Sequence, residues 1–446
     1  MFNKVLIANR GEIAVRIIRA CRELGIKTVA VCSEADRQAL HAQIADECIC
    51  IGPANINESY LNMQAILSAC EISGAQAVHP GFGFLSENPE FAKMCQQCSI
   101  SFIGPSDEVM ALMGDKIRAK EFMEKAGVPV VPGFVGEILS IPQAKKIAAE
   151  IGYPVIVKAS AGGGGKGIRI VREEKYLEGA IATAKKEALS FFGDDKIYIE
   201  KYIENPKHIE IQILADKHGN VIYLGERDCS IQRKSQKIIE ECPSASERIT
   251  KKVREKMAKV SIAAAKAAKY EGAGTIEYLV GDDGNFYFME MNTRIQVEHG
   301  ITELVTGIDI VKSQITVAYG ERLPFSQKDI HFSGHAIECR INAENPHENF
   351  RPCPGKITSL YVPGGPGIRI DSCVYAGYKI PPYYDSMIGK LMAFAPTRKE
   401  AIAKMKWALA EFIVGGIDTN IDYHLDILGD SEFISGEYNI GFLENR

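Results

Sequence analysis

Residues 289–299 read Met-Glu-Met-Asn-Thr-Arg-Ile-Gln-Val-Glu-His. Glu290, Asn292, Arg294, Gln296 and Glu298 thus stand at alternate positions of one short segment. Side chains alternate faces along an extended chain. Glu290 and Asn292 should share a face, and Arg294, Gln296 and Glu298 should share one wherever strand geometry persists. Hard oxygen donors beside a cation and a candidate base suit a metal–phosphate site next to an anionic substrate. Phe286, Phe288 and Met289 mark the approach as a buried strand. Glu277 lies across a hairpin turned by Gly281-Asp-Asp-Gly284. Two facing carboxylates repel unless a cation sits between them. Mg²⁺ bound by Glu277, Glu290 and Asn292 together with nucleotide phosphates fits that requirement.

Cations and glycines supply the rest. Lys158-Ala-Ser-Ala-Gly-Gly-Gly-Gly-Lys166-Gly167 is not a Walker A loop, because Gly follows the Lys and no helix follows the loop. Its glycine run lets backbone N–H groups approach phosphate oxygens and gives a lid freedom to close. Glu200-Lys201-Tyr202-Ile203 ends a strand. It suits a linker bonded to an adenine edge, with His208 nearby, and reads equally as a plain strand end. Gln232-Arg-Lys-Ser-Gln-Lys237 reads as a polar loop with three cations. Arg340 alternates with apolar neighbours, which predicts a half-buried, paired side chain.

These residues need a scaffold of several units, and 446 residues supply about two to four. The composition, 46% hydrophobic and 24% charged, is that of a soluble globular protein. A net charge of −5 argues against nucleic-acid binding. No stretch approaches the ~18 apolar residues of a membrane span, and Met1–Val5 runs into a strand without signal-peptide anatomy. Twelve scattered cysteines predict reduced thiols and a cytoplasmic setting.

Strand 4–8, helix 12–24 and strand 28–32 imply a parallel sheet. Asp36 invites a dinucleotide-binding reading, but the G-x-G-x-x-G fingerprint is absent. His79-Pro-Gly-Phe-Gly-Phe84 places a glycine-spaced loop at a strand's carboxyl end, either ligand-facing or a tight turn. A second unit runs from a hinge at Asp115-Lys116 to about 330. It holds strands at 153–158, 168–171, 197–202, 208–214, 275–280 and 285–291 and a long helix at 246–270. A third unit has strands near 336–341, 355–361 and 388–395, then a helix at 398–413 capped by Thr397 and Glu400. The fold class is α/β and α+β.

The motifs together resemble the biotin carboxylase family. They are Lys158–Gly167 with Ile168-Arg-Ile170, Glu226-Arg-Asp-Cys-Ser-Ile-Gln232-Arg, Glu290–His299, Gly334-His-Ala-Ile-Glu-Cys-Arg340-Ile-Asn-Ala-Glu, His79–Glu87 and Tyr384–Lys390. Carbamoyl phosphate synthases share only part of this set. The resemblance implies an N-terminal α/β parallel-sheet domain (1–114), a central ATP-grasp domain (115–330) with a mobile lid at about 132–203, and a C-terminal β-rich domain (331–446). It implies ATP contacts from Lys116, Lys158, Gly163, Gly164, Gly165, Lys166, Ile168, Glu200, Lys201, Ile203, His208, Gln232, Lys237, Glu277 and Glu290. It implies Mg²⁺ or Mn²⁺ at Glu277, Glu290 and Asn292. Bicarbonate would meet Lys237, Arg294, Gln296, Val297 and Glu298, with Glu298 as base, and biotin would meet Phe82 and Arg340. The implied partners are a biotin carboxyl carrier protein, carboxyltransferase subunits and a second copy in a homodimer. Acetyl-CoA carboxylase is the expected setting. The biotin-carboxylating subunit of pyruvate carboxylase or of another acyl-CoA carboxylase is the alternative, and an ATP-grasp carboxylate–amine ligase a distant one. Phe82 and Ser235 depart from the Tyr and His common in the family, which should shift affinities and spare the chemistry. Gly300, where Pro is common, should leave its loop freer.

Family carriers hold biotin on the Lys of a Met-Lys-Met turn, and that tripeptide does not occur here. Lys404-Met-Lys406 is reversed and falls in the expected 398–413 helix, and too little chain follows the third unit for a carrier domain. Mass spectrometry of the purified chain should find no biotinylated lysine, and a carboxylation assay should require a separately added biotinylated carrier.

Overall fold

Strands that read as unbroken apolar runs are those covered on both faces. Lys4–Ile7 is one: Val5, Leu6 and Ile7 are fully buried. It lies at the centre of a parallel five-stranded sheet ordered Glu47–Gly52, Lys27–Ser33, Lys4–Ile7, Ala77–His79, Ser101–Phe102. The structure is a computed structural model that describes residues 1–134, 138, 140–159 and 167–444.

The expected glycine loop at 162–166, with Gly163, Gly164, Gly165 and Lys166, lies outside the described residues. Its flanking strands are described. Val155–Ala159 pairs antiparallel with Ile168–Val171 and with Ile197–Lys201. Helices Ile141–Ile151 and Leu177–Phe192 contribute Ala144, Ile147, Leu177 and Ile181 to the small core of this sheet.

An antiparallel eight-stranded sheet carries most of the remaining polar motifs. Its order is Phe286–Asn292, Gly272–Val280, Lys207–Ala215, Val221–Arg233, Gln236–Cys242, His335–Asn342, Met387–Ala395, Ile368–Ser372. Strands on both sides of residue 330 thus share one sheet. On the C-terminal strands Ile337, Cys339, Ile341, Leu391 and Ala393 enter an apolar core together with helix Arg398–Glu411. That helix begins with the expected Thr397–Glu400 capping box.

Several sequence readings are corrected. The long helix spans Lys251–Ala267 rather than 246–270, because Thr250 caps it and accepts from Val253 N. The segment 232–237, expected as a polar loop, is the tip of a hairpin. Gln232 pairs with Lys237 and Arg233 with Gln236, leaving Lys234 and Ser235 as a turn with φ of 49° and 66°. The strand expected at 355–361 is only Ser359–Tyr361. Met289 is 36% exposed, unlike Phe286 and Phe288, and lines a cavity. Gly300 is not in a free loop but buried in helix His299–Thr306, where a Cβ would strike Met392 Sδ.

Asp36 has a structural partner in place of a ribose. Arg10 Nε and Nη2 donate to its two oxygens at 2.6 and 2.9 Å, and Tyr60 donates to it at 2.6 Å. Burial alone would raise the carboxyl, but the Arg10 hydrogen bond and charge outweigh it and hold it low. Asp36→Ala should destabilise the protein by about 3–5 kcal/mol, the scale for breaking a buried ion pair. The denaturant midpoint at neutral pH reads this. Because the folded carboxyl titrates below its unfolded value, the Asp36 contribution is present above that unfolded value and fades as pH falls through the folded one.

Candidate active site

Strand pairing brings the carboxylates together. Glu277 and Glu290 are cross-strand partners, and Glu277 also pairs in register with Glu210. The strand ends at Asn292, so alternation does not extend to Arg294, Gln296 and Glu298. Those residues occupy a loop, and Glu298 stands directly before helix His299–Thr306. The loop is held from outside. Glu87 accepts from Thr293 N at 3.0 Å and Arg294 Nε at 2.9 Å, and Lys390 Nζ donates to Val297 O at 2.6 Å.

Lys237 is the hub. Its ammonium bonds Glu210 Oε2 at 2.7 Å, Glu277 Oε1 at 2.9 Å and Glu298 Oε1 at 2.7 Å. Arg340 Nη2 reaches Glu298 Oε2 at 3.0 Å, so both oxygens of the fully buried Glu298 are engaged. Burial by itself would raise the Glu298 carboxyl. Lys237, then Arg340 and Arg227, reverse this and hold it well below the usual range. Cys229 Sγ lies 3.7 Å from Glu298 Oε1, its thiol pushed up chiefly by burial.

Glu277 Oε1 also accepts from Asn292 Nδ2 at 2.9 Å and Gln296 Nε2 at 3.0 Å, and His208 Nε2 lies 2.9 Å from Oε2. Gln232 Nε2 is 3.1 Å from His208 Nδ1. Asn292 Oδ1 accepts from Arg294 Nη2 at 2.8 Å. Glu290 is held above the ordinary carboxylate range by burial and by the charge of Glu277. A carboxylate crowded by another carboxylate gains most from a bound cation, so Glu277 and Glu290 fit a divalent ion. Asn292 Oδ1 would have to release Arg294 to join them.

One cavity is lined by Lys116, Lys120, Phe134, Lys158, Glu200 and Met289. A second opens past Lys116 toward Glu290, Asn292, Arg294 and Glu87. Three lysines line the first, and the second sets Glu87 and Glu290 beside Lys116 and Arg294, a lining that suits a polyphosphate with a bridging metal. Glu200 is clamped by Lys120 at 2.7 Å and Lys158 at 2.9 Å, so its carboxylate is held by two of the lysines that line the cavity with it. Lys201 Nζ turns to the carbonyls of Gly152 and Tyr153, both at 3.0 Å. Ile168 flanks the glycine segment, and Ile203 follows the strand that ends at Lys201. Phe82 is half-buried, with its carbonyl accepting from Asn9 Nδ2 at 2.8 Å.

Sequence reasoning missed Lys120, Glu210, Arg227 and Glu240. Arg227 is fully buried and bonds Glu210, Gln212, Thr302 and Thr275. Polar residues at alternate positions of an otherwise apolar 207–215 run were the available signal.

Family models match three segments. They are the biotin carboxylase N-terminal domain at residues 1–110, the carbamoyl-phosphate synthase L chain ATP-binding domain at 115–326, and the biotin carboxylase C-terminal domain at 338–445. The chain is 56% identical to biotin carboxylase 1 of Bacillus subtilis over 445 residues, covering 100% of this chain and 98% of the relative. It is 54% identical to a pyruvate carboxylase subunit of Methanothermobacter thermautotrophicus, covering 100% and 90%. Among solved structures, a biotin carboxylase–β,γ-ATP complex from Campylobacter jejuni superposes with a TM-score of 0.95 at 52% identity, covering 100% and 99%. The biotin carboxylase domain dimer of Hydrogenobacter thermophilus 2-oxoglutarate carboxylase, with MgADP, ADP and bicarbonate, gives 0.93 at 51%, covering 100% and 98%.

Glu290→Gln removes one carboxylate of the metal pair and should weaken apparent Mn²⁺ affinity by about tenfold or more, a loss on the scale of one charge-assisted contact. A Mn²⁺ titration read by electron paramagnetic resonance checks it. An unchanged binding curve would remove Glu290 from the metal site.

Proposed function

The chain belongs to the biotin carboxylase family and is a ligase with biotin carboxylase activity, and from that premise we propose how its residues divide the work. ATP occupies the cavity beside Lys116 and Lys158, and bicarbonate lies against Lys237, Arg294, Gln296 and the backbone of Val297. Biotin arrives on a separate carrier protein between Phe82 and Arg340. The observation that carries this reading is the pair of ion pairs that lock Glu298 between Lys237 and Arg340.

Bicarbonate is a poor electrophile and needs activation by ATP. Glu298 accepts its proton, and the anion attacks the γ-phosphorus to give carboxyphosphate and ADP. Lys237 and Arg340 lower the basicity of Glu298 while they bond it. As they turn toward substrate oxygens, Glu298 recovers basicity at the moment it is needed. A divalent ion held by Glu277 and Glu290 would offset charge on the transferring phosphoryl group. Lys116, Lys158 and Lys237 add positive charge around it. Carboxyphosphate breaks down to CO₂ and phosphate. That phosphate takes the ureido proton of biotin, Arg340 stabilises the enolate, and the enolate attacks CO₂.

We place this half-reaction in acetyl-CoA carboxylase, with a carboxyltransferase as downstream partner. Pyruvate carboxylation shares the same first step, as the similarity to the Methanothermobacter relative illustrates. The twelve free cysteines support a cytoplasmic setting. Among the described residues no helix is long and apolar enough to cross a membrane. A homodimer follows the dimer seen in the Hydrogenobacter relative. We also propose the three-domain division at 114/115 and 330/331.

ADP release should require bicarbonate and rise with free biotin. ATP cleavage equally fast in bicarbonate-depleted buffer would sink the reading. Glu298→Gln should lower turnover by roughly 10²-fold or more, as loss of a general base does, with the Kd for ATP little changed.

A further inference from the structure

Behind Arg340 lies a row of charge that the mechanism above does not use. Glu338 and Arg340 are two apart on strand His335–Asn342 and so share a face, while Ile337, Cys339 and Ile341 enter the apolar core on the other. Glu240 stands opposite Glu338 on the neighbouring strand, and Lys390 stands opposite Arg340. Like charges therefore face each other twice. Glu240, Glu338 and Lys390 are all fully buried.

The cations are accounted for. Arg340 Nε donates to Glu240 Oε1 at 2.7 Å while its Nη2 holds Glu298. Lys390 donates to Val297 O and lies 3.3 Å from Glu12. The carboxylates are not. Among the described residues Glu240 Oε2 and both oxygens of Glu338 have no hydrogen-bond partner. Two adjacent ionised carboxylates with three buried oxygens that no protein donor meets would repel each other at a high desolvation cost. One proton removes both costs.

We infer that Glu240 and Glu338 form a carboxyl pair sharing one proton, in which neutral Glu338 donates to Glu240 Oε2 and ionised Glu240 positions Arg340. The groups facing the pair are Arg340, Lys390, Lys237 and Glu298. Burial pushes Glu240 up to about 7, against Arg340, and pushes Glu338 well above the carboxylate range, against Lys390. Glu338 is thus the member that keeps the proton. A single negative charge behind Arg340 anchors the guanidinium through Nε, and a second one there would pull it further from an enolate in front. The positioning role rests on the biotin-facing reading of Arg340; the shared proton does not.

Neutron diffraction from the wild-type holoenzyme decides the proton. A deuteron on Glu338 directed at Glu240 Oε2 is expected, and its absence from both carboxyls overturns the inference. Kinetics test the positioning. Glu240→Gln should lower kcat/KM for biotin by about tenfold or more, the scale of a lost charged hydrogen bond, with KM for ATP little moved. Glu338→Gln, which keeps a donor toward Glu240, should lose distinctly less. Equal losses in the two variants would mean that both carry charge and would overturn the pair. A chain that fails to carboxylate biotin at all refutes the functional reading, and the neutron map still answers for the proton.

Discussion

An ammonium has three N–H donors, and Lys237 directs each to a different buried carboxylate. Glu210, Glu277 and Glu298 come from two strands and a loop that no local rule brings together. Without Lys237 they would confront one another with little water to separate them, an arrangement costing several kcal/mol. Burial favours an uncharged lysine, yet the surrounding anions keep this one protonated across any useful pH. The hub therefore demands close strand pairing around it, and the rest of the site inherits its geometry from that demand.

A second tier keeps the first in place. Arg227, wholly inside the protein, satisfies Glu210, Gln212, Thr275 and Thr302 at once. Its planar fork suits several fixed acceptors better than a flexible lysine would. The loop at 293–298 lacks strand hydrogen bonds and is secured from outside instead. Glu87 reaches it from the N-terminal segment, and Lys390 reaches it from a C-terminal strand. Lys390 also meets Glu12 on the first helix. The loop that carries Arg294, Gln296 and Glu298 is thus fixed by residues scattered from one end of the chain to the other, which ties site geometry to whole-chain folding.

Local patterns made much of this legible in advance. Apolar runs marked the inner strands Lys4–Ile7 and Lys27–Ser33 of the parallel sheet because those strands are buried on both faces. The Gly281–Gly284 turn signal put Glu277 roughly opposite Glu290, and a register shift between Glu277 and Tyr278 then makes the two direct cross-strand partners. Thr397 and Glu400 announced their helix through a capping box that needs only four consecutive residues. The motif set around residues 158–167, 226–233, 290–299 and 334–344 identified the family, since so many functional residue types at fixed spacings do not recur by chance.

Other features were decided only in three dimensions. Residues 232–237 look like a solvated loop, yet they form a hairpin tip whose inner end carries Lys237 into the charge cluster. Strand alternation holds only as far as Asn292, a limit that nothing local shows because sheet pairing sets it. Glu200-Lys201-Tyr202-Ile203 read equally as an adenine-edge linker and as a plain strand end, and only the folded chain brings Lys120 and Lys158 to the Glu200 carboxylate. Lys120 on its helix and Glu240 on its strand gave no sign of their importance, since a buried charge has meaning only through the neighbour it meets. The sequence by itself determined which residues could do chemistry and most of the elements that carry them. The tertiary structure alone decided which charges meet, because electrostatic pairing acts through space between segments far apart along the chain.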